Sequence, residues 1–167
     1  MFSSTNTPRN MQVWFMEPYP CGDMRLPHHV YPPKTITLDQ LKSLTGVQQY
    51  KVDLSDTQAL KKRISSVKSE KNCNASDMFV LSKETPDLEE KLELLCEPIV
   101  KSVDTVSLIL DGSCYYDIEK EEDQWIRIYV EKGDFIIIPS GRTIRFTTTP
   151  QNYVKIQRFF NTANNEK

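Results

Sequence analysis

The segment from Gly133 to Ile144 has the spacing of a metal-binding hairpin between two strands, yet it lacks the metal ligand. Gly133 is followed by five residues, then by Pro139, one further residue and Gly141. In a hairpin of this kind the third position after the second glycine supplies a histidine. That position is Ile144, whose side chain has no donor atom for a metal. The spacing indicates a metal site, and the residue at the ligand position argues against one.

Histidine is the scarcest of the metal-ligating residue types in this chain. There are two histidines, and they are adjacent, at His28 and His29. A centre that needs three imidazoles from one chain is therefore excluded. The four cysteines are too far apart to form a CxxC pair, so a structural zinc site is not expected either.

The composition is that of one folded domain without a strongly charged partner. The chain has 167 residues, of which 38% are hydrophobic, enough for a single core. Its net charge is −2, so no bulk attraction to nucleic acid or to an anionic membrane is expected. No basic start followed by an apolar stretch marks a secretion signal, and no apolar run has the length of a membrane span. We expect an intracellular protein with reduced thiols.

The first hundred residues are predicted to form short helices between polar and proline-rich loops. Two short strands are expected there, at 11–16 and 78–81. Apolar residues at helical spacing follow three plausible helix starts. The first helix can be capped by Thr37 and the second by Ser55 or Asp56, and the third can be opened by Pro86.

From residue 103 onward the apolar pattern alternates, which is typical of strands. The pair Asp111-Gly112 lies between two such runs and is predicted to form a hairpin turn. Turn residues recur at short intervals, and the predicted strands are 106–110, 113–118, 125–130, 135–138, 143–148 and 153–160. A set of short strands of this kind favours a small antiparallel barrel or sandwich.

The hairpin and the strands before it resemble the cupin pattern. The first cupin motif is HxHxxxE, six residues and a glycine, which here is Gly112, and the second has the spacing of Gly133 to Ile144. Over roughly residues 11–160 the chain more specifically resembles acireductone dioxygenase. The most specific matches are Ile109-Leu110-Asp111-Gly112-Ser113, Tyr115-Tyr116-Asp117, Trp125-Ile126-Arg127-Ile128 and Val130-Glu131-Lys132-Gly133-Asp134.

The resemblance implies a mainly β (α+β) fold, a cupin-type antiparallel β-barrel with short N-terminal helices packed outside. It places a single domain at 11–160, after a disordered tail at 1–10 and before a polar C-terminal tail at 161–167. It also implies a cytoplasmic location with a nuclear share and a place near methionine salvage. We expect a monomer without nucleic-acid or membrane partners, and the identity of any protein partner stays open.

The resemblance also places the metal ligands of the family, which binds Fe²⁺ or Ni²⁺ through three histidines and a glutamate. The equivalent positions in this chain are Ile99, Lys101, Thr105 and Ile144. The arginine that closes the family's first motif is replaced by Ser107. Because an isoleucine has no donor atom and a lysine is a cation, we predict no catalytic, cofactor-binding or metal-binding residue and no bound Fe²⁺ or Ni²⁺.

Ordinary structural roles are predicted for the other residues that could suggest chemistry. Ile99 and Ile144 are expected to fill the former metal site with apolar side chains. Asp104 is expected to point outward because Thr105, its neighbour in the strand, points inward. Cys114 is expected to be a packed thiol. The pair His28-His29 is expected to be a structural or surface element.

Three functions stay open from the sequence. The first is a catalytically inactive homologue of acireductone dioxygenase, which acts through binding or regulation if it acts at all. The second is an enzyme that takes its metal from a partner chain, or that works without metal and uses Lys101 as a base or Schiff-base former. The third is a non-catalytic cupin that binds an acireductone-like ligand or a partner.

Overall fold

The computed structural model describes residues 12–163 and shows a curled antiparallel sheet of nine strands with three helices. The strands are β1 (Val13–Met16), β2 (Gln48–Lys51), β3 (Ala75–Leu81), β4 (Ile99–Val100), β5 (Thr105–Glu121), β6 (Gln124–Glu131), β7 (Asp134–Ile138), β8 (Thr143–Thr148) and β9 (Val154–Phe160). The helices are α1 (Leu38–Thr45), α2 (Thr57–Glu70) and α3 (Leu88–Leu95). The predicted tail at 1–10 and the end of the chain after 163 lie outside the described residues.

Strand β5 belongs to both parts of the sheet, which we call its two arms. The first half of β5 pairs with the strands of one arm, and its second half pairs with those of the other. Its first half pairs with β7 and β9, which in turn pair with β2 and β3. Its second half pairs with β6 and β8, which in turn pair with β1 and β4. All of these pairings are antiparallel, as the sequence predicts.

The predicted hairpin at Asp111-Gly112 is wrong, because β5 runs through both residues without reversing. The register shifts between Ile109 and Asp111, and Gly112 has a φ of 75°. This is a β-bulge with a bend, and it uses the same Asp-Gly chemistry as a tight turn. The dipeptide predicts a positive φ in either case, and only long-range pairing decides between a bulge and a turn.

The bulge also changes which residues of β5 face the interior. Before it, Ile109 belongs to the main core, while Val106 and Leu108 pack in a second cluster with Val67 of α2. After it, the even-numbered residues Cys114, Tyr116 and Ile118 all face the main core. One extra residue reverses the alternation of a strand. A single continuous strand can therefore line the interior of both arms.

The bend at Gly112 should be intolerant of any side chain. A Cβ atom there would overlap with the carbonyl oxygen of Tyr153, in addition to the strain of a positive φ. We expect Gly112→Ala to lower the free energy of unfolding by about 3–5 kcal/mol, the sum of backbone strain and overpacking. Urea unfolding measures it. Gly22→Ala is the matched control, because Gly22 has a φ of 90° with no atom within 4 Å of the added carbon. Equal losses for the two variants would contradict the prediction.

Two of the three predicted helix starts are correct, and the third is wrong, because α3 begins at Leu88 after Asp87 and Pro86 lies outside the helix. The Thr37 side chain accepts a hydrogen bond from the Gln40 amide, and the Gln40 side chain accepts one from the Thr37 amide in return. Asp56, rather than Ser55, caps α2 by accepting from the Ala59 amide. Among residues 12–163, no helix is both long enough and apolar enough to cross a membrane.

Candidate functional site

The four positions predicted from the metal motif line one cleft, which we call the central cleft. It has a volume of about 140 Å³ and lies among β3, β4, β5, β8, β9 and the end of α3. Ile99 and Ile144 are direct partners across the β4–β8 pair. Lys101, in the segment before β5, and Thr105, the first residue of β5, complete the set. Strand pairing thus gathers residues that are more than forty positions apart in the chain.

The hairpin of the second motif holds the first motif in place through the backbone. The Gly141 amide donates a hydrogen bond of 2.9 Å to the Lys101 carbonyl oxygen. The Ser140 amide donates one of 2.9 Å to the Asp104 carboxylate. The turn of the second motif therefore still positions the ligand segment of the first, although the ligands themselves are gone.

The prediction of apolar filling is correct for Ile144 and wrong for Ile99. Ile144 is buried, with 6% of its surface exposed, whereas Ile99 is 48% exposed. The reason is local, since β4 has two residues and pairs on one side, with β8. Ile99 stands at the mouth of the cleft, next to the exposed Leu94 of α3. Ile144 therefore fills part of the cleft, while the exposed Ile99 leaves its entrance open.

The groups that line the cleft do not fit Fe²⁺ or Ni²⁺. Those ions favour imidazole and carboxylate donors. The donors here are the neutral hydroxyls of Thr105, Ser107 and Tyr116, and Glu97 is the one carboxylate of the lining. Lys101 adds a positive charge to the same lining, and a positive charge repels a divalent cation. Across residues 12–163, no group of three or more His, Cys, Asp or Glu side chains is placed to hold a metal ion.

Ser107 and Tyr116 form the buried polar part of the cleft lining. Ser107 is 1% exposed and Tyr116 is 6% exposed, and both side chains line the cleft. Burial raises the pKa of Tyr116. The phenol therefore stays protonated at neutral pH and can donate or accept a hydrogen bond, but it cannot act as an anionic metal ligand.

Arg145 connects the cleft to a buried group of charges that the sequence alone did not reveal. Asp117 accepts hydrogen bonds of 2.7 and 2.8 Å from Arg127 and one of 3.0 Å from Arg145. Arg127 also donates to the carbonyl oxygens of Met24 and Leu26, which ties the loop after β1 to the sheet. We call Asp117, Arg127 and Arg145 the buried charge triad.

A signal for the triad is present in the sequence. Three charged residues interrupt the apolar faces of three strands, and in the sheet Asp117 is the direct cross-strand partner of both arginines. A charge within an apolar strand indicates a paired partner on the neighbouring strand. Register, which the sequence leaves open, is needed to find that partner.

The remaining candidates have the structural roles that were predicted for them. His28 and His29 lie away from the cleft, where the His28 ring is 2.7 Å from the Asp23 carbonyl oxygen and His29 stacks on Trp14. Asp104 points away from the cleft, toward Ser140 and Lys71. Cys114 is fully buried, and burial raises the pKa of its thiol. A thiol held neutral in this way is a poor nucleophile.

The fold agrees with what comparison with known proteins shows. A family model described as "ARD/ARD' family" matches residues 12–167. The chain belongs to the acireductone dioxygenase family. It is 60% identical over 150 residues to the "Probable inactive acireductone dioxygenase 1" of Caenorhabditis elegans, covering 90% of this chain and 94% of that protein. It is 38% identical over 151 residues to the "Acireductone dioxygenase" of Homo sapiens, covering 90% and 83%.

A solved structure of the acireductone dioxygenase family confirms the predicted fold class. The acireductone dioxygenase of Bacillus anthracis, with a cadmium ion in its active centre, superimposes with a TM-score of 0.69. The match covers 78% of this chain and 88% of the other. At 22% identity it supports the fold alone. The cadmium ion belongs to the active centre of the bacterial protein.

Proposed function

We propose that this protein is a catalytically inactive member of the acireductone dioxygenase family that does not hold Fe²⁺ or Ni²⁺ in its cleft. The observation that carries the proposal is the convergence of Ile99, Lys101, Thr105 and Ile144 on one cleft. A shifted alignment could not restore the site, because the chain has two histidines and neither lines the cleft.

The names of the relatives support the same proposal. Three relatives that are 45–60% identical to this chain, from two Caenorhabditis species, are each named "Probable inactive acireductone dioxygenase". Vertebrate relatives that are 35–38% identical are named "Acireductone dioxygenase". The chain thus shares more sequence with the proteins named inactive, and its cleft gives a chemical reason for inactivity.

The absent metal would supply the Lewis acidity for the family reaction, and the cleft offers no group in its place. The aliphatic side chains of Ile99 and Ile144 cannot polarise a substrate oxygen. The Lys101 ammonium can donate hydrogen bonds to a substrate oxygen, but it cannot accept an electron pair from that oxygen as a metal ion does. A hydroxyl such as that of Thr105 is not a general base at neutral pH without a neighbouring base. We derive no catalytic step for this cleft.

The second candidate is an enzyme that works without metal through Lys101. The observation that favours it is the position of Lys101 in the cleft lining, beside apolar side chains that could desolvate an amine. A Schiff-base lysine would be trapped on a carbonyl substrate by borohydride. Absence of any adduct with acireductone-like carbonyl compounds would remove this candidate.

The cellular setting belongs to the same proposal. We place the protein in the cytoplasm with a nuclear share, near methionine salvage, as a monomer without nucleic-acid or membrane partners. The support is the family membership, together with a net charge of −2 that gives no bulk attraction to polyanions.

The decisive experiment measures metal content and turnover together. Protein expressed with added Fe²⁺ and Ni²⁺ and then dialysed is expected to hold less than about 0.1 metal ion per chain, because the cleft lacks a donor set. Its turnover of acireductone with O₂ is expected to equal the uncatalysed rate. The human relative, treated in parallel, is the control for metal supply and for the assay. One tightly held Fe²⁺ or Ni²⁺ ion per chain, or turnover above background, would overturn the proposal.

A further inference from the structure

Strand β3 lies at an edge of the sheet, and one side of its backbone is open. It pairs with β9 without a bulge along its whole length, from Ala75 to Leu81. Among residues 12–163, no other strand or loop backbone hydrogen-bonds to it. In an antiparallel pair, alternate residues direct their amide and carbonyl groups away from the neighbouring strand. The outer edge of β3 therefore presents a row of backbone donors and acceptors to any strand that approaches it.

The side chains of β3 do not protect this edge. Natural edge strands usually carry a lysine, a proline or a bulge, each of which discourages pairing with another chain. β3 has none of these, and its one charged side chain, Asp77, is bound by Arg158. Met78 and Val80 are exposed, and they lie on the same face of the strand because they are two residues apart. An edge of this composition favours pairing with a further strand.

The central cleft lies beside this edge. Phe79 of β3 lines the cleft together with Leu94 and Leu95 of α3. Leu94 is exposed, as is Ile99 at the mouth of the cleft. In a strand added to β3, the side chains on the face of Phe79 would point toward the cleft. Domains that recognise peptides by strand addition use such pockets for alternate side chains of the peptide.

The cleft has the size of one aromatic side chain. Its volume of about 140 Å³ is close to that of a dry protein cavity, about 150 Å³, that accepts benzene. Its wall already holds a row of rings, since Phe146 packs edge-on against Tyr116 at 5.1 Å and against Phe79 at 6.1 Å. Edge-to-face contacts of this kind are favourable between aromatic rings. A phenyl ring that entered the cleft would extend the row.

We propose that the edge of β3 and the central cleft together form a docking site for an extended segment of a partner protein. The segment adds to β3 as a further strand through its main chain. An aromatic side chain near its middle enters the cleft, and the apolar residues on either side of that anchor cover Met78 and Val80. The inference rests on the proposed function, because an aromatic ring can occupy the cleft only where no metal ion is held.

A second copy of this chain fits the site less well. Its β3 could supply the main-chain hydrogen bonds of an added strand. The one aromatic residue of β3 is Phe79, however, which already packs against Phe146 within its own core. Two paired β3 strands would therefore leave both clefts without an anchor. A segment of another protein has no such constraint.

The test uses the designed peptide Lys-Thr-Thr-Val-Phe-Val-Thr-Thr-Lys, with both ends blocked. Its phenylalanine is the anchor, its valines face Met78 and Val80, and its lysines keep it soluble. It is titrated into ¹⁵N-labelled protein in the presence of a chelator. We expect a dissociation constant near about 0.1 mM, with NMR shift changes at β3 and around the cleft. Amide hydrogen exchange should slow at alternate residues of β3, those whose amides point away from β9.

Two methylated forms of the peptide separate strand addition from simple apolar contact. One carries a methyl group on the amide nitrogen of the phenylalanine, and the other carries it on that of the following valine. In an added strand, one of these two amides points to β3 and the other points to solvent. We expect one form to bind at least tenfold more weakly than the parent peptide and the other to bind as the parent does.

Changes of single side chains test the anchor and the edge. A peptide with alanine in place of phenylalanine is expected to bind at least tenfold more weakly, because the cleft loses its anchor. Met78→Lys places a charge on the edge, as natural edge strands do, and is expected to weaken binding at least fivefold. Tyr31→Lys is the matched control, because Tyr31 is an exposed residue between β1 and α1 that does not line the cleft. It is expected to leave binding unchanged.

Three outcomes would overturn the inference and leave the proposed function standing. Equal effects of the two methyl groups would exclude strand addition. Unchanged affinity of the alanine peptide would exclude the anchor in the cleft. Absence of binding at about 2 mM peptide would exclude the docking site as a whole.

Two further measurements separate the remaining alternatives. A dimer seen by analytical ultracentrifugation and lost in Met78→Lys would show that a second copy covers the edge, which would overturn the partner assigned here. Peptide binding that Ni²⁺ abolishes by filling the cleft would overturn the proposed function, because the cleft would then hold a metal.

Discussion

Restoring the four family ligands together is expected to give a chain that binds about one divalent metal ion in the central cleft. The changes are Ile99→His, Lys101→His, Thr105→Glu and Ile144→His. We expect micromolar or tighter binding of Ni²⁺, at least about 8 kcal/mol of binding free energy, and no such binding by the parent protein. Calorimetric titration measures the affinity and stoichiometry, and circular dichroism checks that the fold is kept.

The reason for expecting success is that the backbone already brings the four positions together on one cleft. Ile99 and Ile144 are direct cross-strand partners, and such pairs have Cβ atoms about 5 Å apart, a distance at which two imidazoles can share an ion. Lys101 is two residues after Ile99 and its carbonyl is held by the Gly141 amide. Removing the ammonium of Lys101 also removes a repulsive charge.

Partial restorations are the controls for this prediction. Each of the four variants that keep one native residue should bind Ni²⁺ at least tenfold more weakly than the complete variant, because each lacks one ligand. A complete variant that folds but takes up no metal would contradict the prediction. It would mean that the cleft has changed shape around its lost ligands and that inactivity does not lie in those four residues alone.

The sequence predicts which donor groups the site lacks better than it predicts the shape of the site. The replacement of donors can be read directly from residue types, since an isoleucine cannot ligate in any fold. The exposure of Ile99 cannot be read in that way. It depends on β4 being two residues long and paired on one side, which is a property of the whole sheet.

The fold is predictable where the signals are local and less so where they are not. The capping box at Thr37 and the cap at Asp56 follow from side chains within three residues of the helix start. The Asp111-Gly112 bulge has the sequence signal of a hairpin, because a positive φ after Asp serves both structures. The pairing of β5 with four other strands decides between them, and that pairing is non-local.

Loss of the central carboxylate of the buried charge triad is expected to be among the most destabilising single changes in this chain. Asp117 is 1% exposed, and its two oxygens accept the hydrogen bonds that neutralise Arg127 and Arg145. Asp117→Asn keeps the shape of the side chain but leaves two buried guanidinium groups without a counter-charge. We expect a loss of about 3–5 kcal/mol in the free energy of unfolding, measured in urea.

An exposed pair of the same type provides the control. Asp77 also accepts two hydrogen bonds from an arginine, Arg158, but both side chains are 45% exposed. Water compensates the loss of such a pair, so Asp77→Asn should cost about 1 kcal/mol or less. If the two variants lost equal stability, Arg127 and Arg145 would have to be reached by solvent in the folded protein. The loop that Arg127 binds at Met24 and Leu26 would then not exclude water from the triad. Arg145 would be held in place mainly by stacking on Trp125.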